Sequence, residues 1–214
     1  SHPSLRKKSL FHAMLNKYLS KKYASDVNKS YDSLNLIFCH VNDRSVSVAA
    51  HKKGKIVDVN QAYMGFRPMG FCEIGTLPSS DITDMIFRKC YSKDEMLKLI
   101  NNKGTSFSYL GTNSFDKIMS LFENNDKKAK LMLEAMAYQI SKEIASHYVS
   151  LDSQIDAIIL SGEIFSFKRF FKYISKRIEN LAPVVSYPKD FTFEAMIYNV
   201  LQVENKELEI RSYA

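Results

Sequence analysis

Three cysteines, Cys39, Cys72 and Cys90, are odd in number and lack the spacing of a metal site, which excludes a disulfide framework and a cysteine-based metal centre. Free thiols in a reducing cytoplasm are the expectation. No apolar run approaches the roughly 18 residues that would span a bilayer. The first residues, Ser1 to Arg6, hold no apolar core of a signal peptide, so no membrane partner is expected. Internal repeats and low-complexity segments are absent. Basic residues exceed acidic ones, for a net charge of +7, yet the lysines are dispersed and no nucleic-acid-binding motif accompanies them. A solvated basic surface is the plainer reading, and no nucleic-acid partner is expected.

What is present is ordinary in bulk. The 214 residues are 45% hydrophobic and 25% charged, the composition of a globular protein with one large domain or two small ones. Leu34 to Asn60 organises the rest. Leu36-Ile37-Phe38-Cys39, leading to His40, is continuously apolar, as a strand buried on both faces would be. Val46, Val48 and Ala50 alternate with Ser45, Ser47 and Ala49, the period of a strand with one face inward. Lys53-Gly54-Lys55 reads as a tight turn in which Gly54 can take a positive φ, and Ile56, Val57 and Val59 run back from it. Three such strands in sequence predict an antiparallel meander.

Leu10, Phe11, Met14, Leu15, Tyr18, Leu19 and Tyr23 recur at helical spacing and predict a helix over residues 7–25. Gln61 to Pro78 is rich in glycine and proline and predicts a long irregular loop, a kind that is usually functional. Ser80-Asp81, Ser92 to Glu95, Ser114 and Asn125-Asp126 carry helix-start chemistry. The last opens the longest helix, with the stripe Leu133, Met136, Ala137, Ile140 and Ile144. Ser106 to Leu110 reads as a short extended piece, Ile155–Leu160 and Pro183–Tyr187 as strands, and Phe167–Leu181 and Phe193–Val203 as helices. Alternating strands and helices after a meander predict an α/β domain with a mixed sheet. His51, beside lysines on the hairpin, is expected to be solvated.

Several segments, in order, resemble the butyrate kinase family, of the acetate and sugar kinase, heat-shock protein and actin superfamily. They include Lys8-Ser9-Leu10-Phe11-His12-Ala13, His40 and Ser45 around a turn, Ala50-His51-Lys52-Lys53-Gly54 and Asp58-Val59-Asn60. Gly75-Thr76-Leu77-Pro78, Tyr109 to Asn113, Glu134 to Ile140, Asp156 to Gly162, Tyr187-Pro188 and Phe193-Glu194-Ala195 continue the match. The resemblance implies a ribonuclease-H-like (actin-like ATPase) domain with helices on both faces of the sheet. Residues 1–214 would form one domain, equivalent to the C-terminal lobe of a butyrate kinase, with the N-terminal lobe absent.

The activity implied is ATP-dependent phosphorylation of a short-chain fatty acid to an acyl phosphate. ATP and Mg²⁺ are the implied cofactors, and a second copy of the chain and a separate N-terminal lobe the implied partners. By the same resemblance His12 stabilises the transferring phosphoryl group and Glu194 helps organise Mg²⁺. His40, Asn42, Ser45, Ser161 and Gly162 would face the nucleotide and its phosphates. Three positions depart from the family pattern. Asn42-Asp43-Arg44 replace a glycine run, Glu73 replaces a phosphate-clamping arginine, and Glu163 replaces the second glycine of the adenosine turn. A positive φ at Glu163 would strain a residue with a side chain. Arg67, in Met64-Gly65-Phe66-Arg67-Pro68, is the candidate substitute clamp. Two functions stay open: a kinase lobe impaired or inactive as this chain alone, and a non-catalytic interaction or dimerisation domain that kept the kinase fold.

Overall fold

The computed structural model describes residues 4, 7–63 and 66–207, so Met64 and Gly65 lie outside the described residues. One five-stranded mixed sheet has the order β3–β2–β1–β4–β5. Its strands are β1 (Asn35–Val41), β2 (Val46–Lys52), β3 (Lys55–Val59), β4 (Ala157–Ser161) and β5 (Val184–Tyr187). The first three form the expected antiparallel meander. Lys53 (φ 47) and Gly54 (φ 78) both take the left-handed conformation that a two-residue hairpin turn requires. β4 runs parallel to β1, with Leu36 opposite Ala157 and His40 opposite Ser161. β5 runs parallel to β4.

Alternation along β1 builds a core on each face. Ile37, Cys39 and Val41 join Val48, Ala50, Ile158 and Leu160 against α5 (Phe115–Glu123), α6 (Lys127–Ser150) and α7 (Lys168–Ile178). Leu36 and Phe38 join Ala157 and Ile159 on the other face, against α1 (Ala13–Asp26) and α8 (Thr192–Glu204). The α6 stripe Leu133, Met136, Ala137, Ile140 and Ile144 is fully buried, and Asp126 caps that helix through the Ala129 N–H. Ser114 caps α5, and Ser92 with Glu95 forms a capping box on α3 (Lys93–Asn101).

Two elements differ from expectation. α1 starts at Ala13 because the preceding residues are drawn away along the β3 side. The Lys8 N–H donates to Gln61 Oε1, the Ala62 N–H donates to the Leu10 carbonyl, and Lys7 pairs with Asp58 at 3.1 Å. Leu10 is therefore exposed rather than packed, and Met14, on the first turn of α1, is exposed as well. Residues 106–110 are helical, as α4 (Thr105–Leu110), not extended. Its first turn docks on the long loop. The Ser106 N–H donates to the Phe71 carbonyl and the Thr105 hydroxyl to the Glu73 carbonyl. Between β3 and α2 (Ser79–Arg88) the described chain is irregular, as expected of Gln61 to Pro78.

Candidate functional site

The carboxyl ends of β1 and β4 lie side by side, and in open α/β sheets ligands bind off such ends. His40 leaves β1 there, buried, with Nδ1 3.3 Å from the hydroxyl of the fully buried Ser161. His12 stands at the start of α1 and meets His40 edge-on, ring centroids 4.7 Å apart. Gly162 follows Ser161 at φ 125, and a Cβ there would lie 2.0 Å from the Val41 carbonyl oxygen. Only glycine fits that crossing. The positive φ thus belongs to Gly162. Glu163 opens a short 3₁₀ turn (Glu163–Ser166), and the strain anticipated for it is absent.

The turn from β1 to β2 is built without glycine. Asn42, Asp43 and Arg44 have no positive φ, so losing a glycine run costs no backbone strain in this conformation. Asn42 supplies the bonds instead. Its Oδ1 accepts from the N–H groups of Arg44 (2.9 Å) and Ser45 (2.7 Å). That fixes the amide, whose Nδ2 then faces His12 Nε2 at 3.2 Å. An NH₂ group can only donate, so Nε2 accepts and the His12 proton sits on Nδ1, which donates to the Ser47 hydroxyl at 2.8 Å. Burial pushes the His12 imidazole below its ordinary range, with Asp190 opposing, which agrees with a neutral ring. Burial and the neighbouring His12 push His40 down to about 3, again against Asp190.

Two cavities flank this cluster. One, of about 350 Å³, is lined by His40, Asn42, Asp43, Phe115, Gly162, Glu163, Asp190 and Thr192. The other, of about 380 Å³, is lined by His12, Asn42, Arg44, Ser45, Tyr63 and Glu73. Asn42 lines both. His12, His40, Asn42, Ser45, Ser161 and Gly162, expected to act together, are therefore gathered. Glu194 is not among them. It is exposed on the first turn of α8 and lines neither cavity. Asp190 takes the place at the cleft. Its Oδ1 accepts from the Thr192 N–H at 2.8 Å, and bonds from Thr192 with nearby His40 and His12 hold its carboxyl below the usual range. Asp190 was missed in the sequence, although an aspartate two residues before a helix that follows a strand is an N-terminal capping signal.

Arg67 does not reach either cavity as a free clamp. Its side chain and that of Glu73 are each 1% exposed, with Nε 3.1 Å from Oε2. The contact lacks hydrogen-bond alignment, so charge attraction holds it. Arg67 also donates to the Ala62 carbonyl. Burial pushes the Glu73 carboxyl up and the Arg67 guanidinium down, and each charge opposes that push on the other. Glu73, which the resemblance puts where a clamping arginine was expected, is thus neutralised by Arg67, the expected substitute clamp. Arg44 is the cation on the wall of the His12 cavity, with its guanidinium donating to Asn102 Oδ1. His51, expected in solvent, is fully buried. Tyr31 donates to its Nδ1 at 2.8 Å, and Asn16 Oδ1 lies 3.5 Å from Nε2.

The donor set suits Mg²⁺ only through water. Asp43, Glu163 and Asp190 are hard oxygen donors around one cavity, but among the described residues no three acidic, histidine or cysteine side chains converge as a direct cage. Nor is any helix of the described residues long and apolar enough to cross a membrane.

Residues 4–169 match the acetokinase family. The chain is 37% identical to butyrate kinase 2 of Clostridium acetobutylicum over 211 residues, which is 99% of this chain and 59% of that protein. In structure it is similar to an acetate kinase from Porphyromonas gingivalis, with a TM-score of 0.79 at 17% identity over 90% of this chain and 55% of that one. A propionate kinase from Francisella tularensis gives a TM-score of 0.73 at 19% identity, over 84% of this chain and 52% of that one. The chain therefore spans between half and three-fifths of the length of these relatives, and the sheet with its two helical layers has the actin-like ATPase fold.

Proposed function

The chain belongs to the acetokinase family, and from that premise we propose that it is a carboxylate-kinase lobe equivalent to the C-terminal lobe of a butyrate kinase. It supplies half of a cytoplasmic, ATP-dependent site that phosphorylates a short-chain fatty acid to an acyl phosphate. The observation that carries this reading is the pair of cavities meeting at Asn42, beside His12 and His40. In-line phosphoryl transfer needs donor and acceptor on opposite sides of one point.

In this reading the Gly162 cavity takes the nucleotide and the His12 cavity the carboxylate. Asp43, Asp190 and Glu163 would hold Mg²⁺ through water, and the bound cation would offset phosphate charge in a wall that has carboxylates and no cation. In this reading Arg44, on the wall of the His12 cavity, would meet the incoming carboxylate and the phosphate oxygen beside it. His12 stands at the junction with its Nε2 lone pair toward Asn42. As this chain alone the site is slow or inactive, because the turn amides are already bonded and Arg67 is neutralised. Removing one preorganised donor of this kind costs about 10²–10³ in rate.

A second reading, a non-catalytic dimerisation domain, is favoured by α8. Phe193, Met196, Ile197, Val200 and Leu201 form an exposed apolar stripe at helical spacing, suited to a second copy or a separate N-terminal lobe. A hydroxamate assay for butyryl phosphate separates the two. The chain alone should give no butyrate-dependent product, and the chain supplied with a butyrate kinase N-terminal lobe should give some. A bound complementary lobe that produces none leaves the dimerisation domain.

A further inference from the structure

The bonds around Asn42 have a consequence for what the turn can bind. Backbone N–H groups presented by a tight turn are an anion site when they have no partner of their own. Here the Arg44 and Ser45 N–H groups converge on one atom, Asn42 Oδ1, at 2.9 and 2.7 Å. The same side chain covers the His12 ring, since its Nδ2 donates to His12 Nε2 at 3.2 Å, the nitrogen that would become a donor only on protonation. Arg44 lines the same cavity as Asn42 and His12, with its guanidinium donating to Asn102 Oδ1. Two convergent N–H groups, an imidazole and a guanidinium are the donors a tetrahedral oxyanion takes, and one neutral side chain stands among them.

We propose that Asn42 is an internal plug: its amide occupies an oxyanion site formed by the Arg44 and Ser45 N–H groups, His12 and Arg44, and a phosphate oxygen binds there only when Asn42 is displaced or removed. The choice of a phosphate as the anion rests on the kinase reading; the plug itself rests on the three hydrogen bonds of the Asn42 side chain. It also accounts for the His12 proton on Nδ1. A ring protonated on both nitrogens would place a second donor against the Asn42 NH₂, so the plug holds His12 uncharged and turned from its anion-binding form.

The probe is inorganic phosphate, titrated into the full chain and followed through the Arg44 and Ser45 amide resonances. In the wild type both amides should exchange slowly and stay unmoved by phosphate. Asn42→Ala, which removes the plug without adding glycine freedom, should bind phosphate about tenfold tighter, the worth of one charge-assisted hydrogen bond. In that variant His12 should titrate at higher pH. Asn42→Asp keeps an oxygen on the two N–H groups and places a charge beside His12, so the ring should titrate higher still with no gain in phosphate binding. Phosphate that shifts the Arg44 and Ser45 amides of the wild type overturns the proposal. So does an Asn42→Ala chain that folds and binds phosphate no better, and if that variant does not fold, the wild-type exchange and shifts decide. Neither readout involves ATP or butyrate, so failure here leaves the kinase reading standing, and the converse holds.

Discussion

Two turns leave the carboxyl ends of adjacent strands, and they differ in what a side chain does to them. After β4, Gly162 crosses Val41 so closely that a Cβ would sit 2.0 Å from a carbonyl oxygen, at φ 125. After β1, Asn42-Asp43-Arg44 turn back with no positive φ, and a side-chain oxygen bonds the amides. The first turn is constrained by backbone contact, so any side chain there is both strained and crowded. The second needs partners for its N–H groups, and an asparagine provides them as well as an external anion could. A fold can therefore keep its frame while the groups that would face a phosphate are satisfied from within.

The largest effect expected on the frame concerns the buried pair beside the second turn. Arg67→Met strands Glu73 at 1% exposure and should cost about 3–5 kcal/mol in denaturant unfolding. Arg67→Met with Glu73→Leu should recover most of that loss, because removing both charges also removes their desolvation. If the double variant were as unstable as the single, the pair would be doing more than neutralising itself.

Next is the crossing. Gly162→Ala should cost about 3 kcal/mol, combining a left-handed non-glycine residue with overpacking against backbone. A loss under roughly 1 kcal/mol would mean that the close approach relaxes easily, and the contrast between the turns would fail.

Buried histidines give the third effect. His40 and His51 are each pushed from 6.5 to about 3, first of all by burial. Their folded values lie below the unfolded one, so the native state binds fewer protons and stability rises with pH across this window. The contribution is complete above about 6.5 and is lost as pH falls toward 3, by up to ~1.4 kcal/mol per unit for each ring. Denaturant midpoints at pH 7, 6, 5 and 4 should fall accordingly, and a flat series would contradict neutral burial. His51→Gln should remove part of the slope.

The smallest effect sharpens the comparison most. Asn42→Ala should cost only about 1 kcal/mol, since its bonds lie in a partly solvated turn. A cost equal to that of Gly162→Ala would make Asn42 part of the frame.

These contrasts follow what could be read from sequence. The meander, the α6 stripe and the Ser92, Ser114 and Asp126 caps were legible because each depends on neighbours within a turn or a strand pair. Residues 106–110 were misread because their helix is stabilised by loop carbonyls at Phe71 and Glu73, contacts more than 30 residues away. His51 was misplaced because its burial depends on Tyr31 and Asn16, which come from other elements. Gathering His12, His40, Asn42, Ser45, Ser161 and Gly162 was expected from resemblance, not from spacing. Asn42 Oδ1 is fixed by a local turn onto Arg44 and Ser45; what no local pattern could show is that the amide nitrogen then meets His12, 30 residues earlier. The Arg67–Glu73 pair was hidden for the same reason. Both side chains sit in an irregular loop with no period to say which face is inward.

The central claim is that, in this acetokinase-family fold, the turn after β1 proposed to face a phosphate is already satisfied by its own side chain. Calorimetric titration of Mg-ATP into the chain alone tests it most directly. The account predicts binding no tighter than millimolar, improved in Asn42→Ala. Micromolar affinity in the wild type would contradict it.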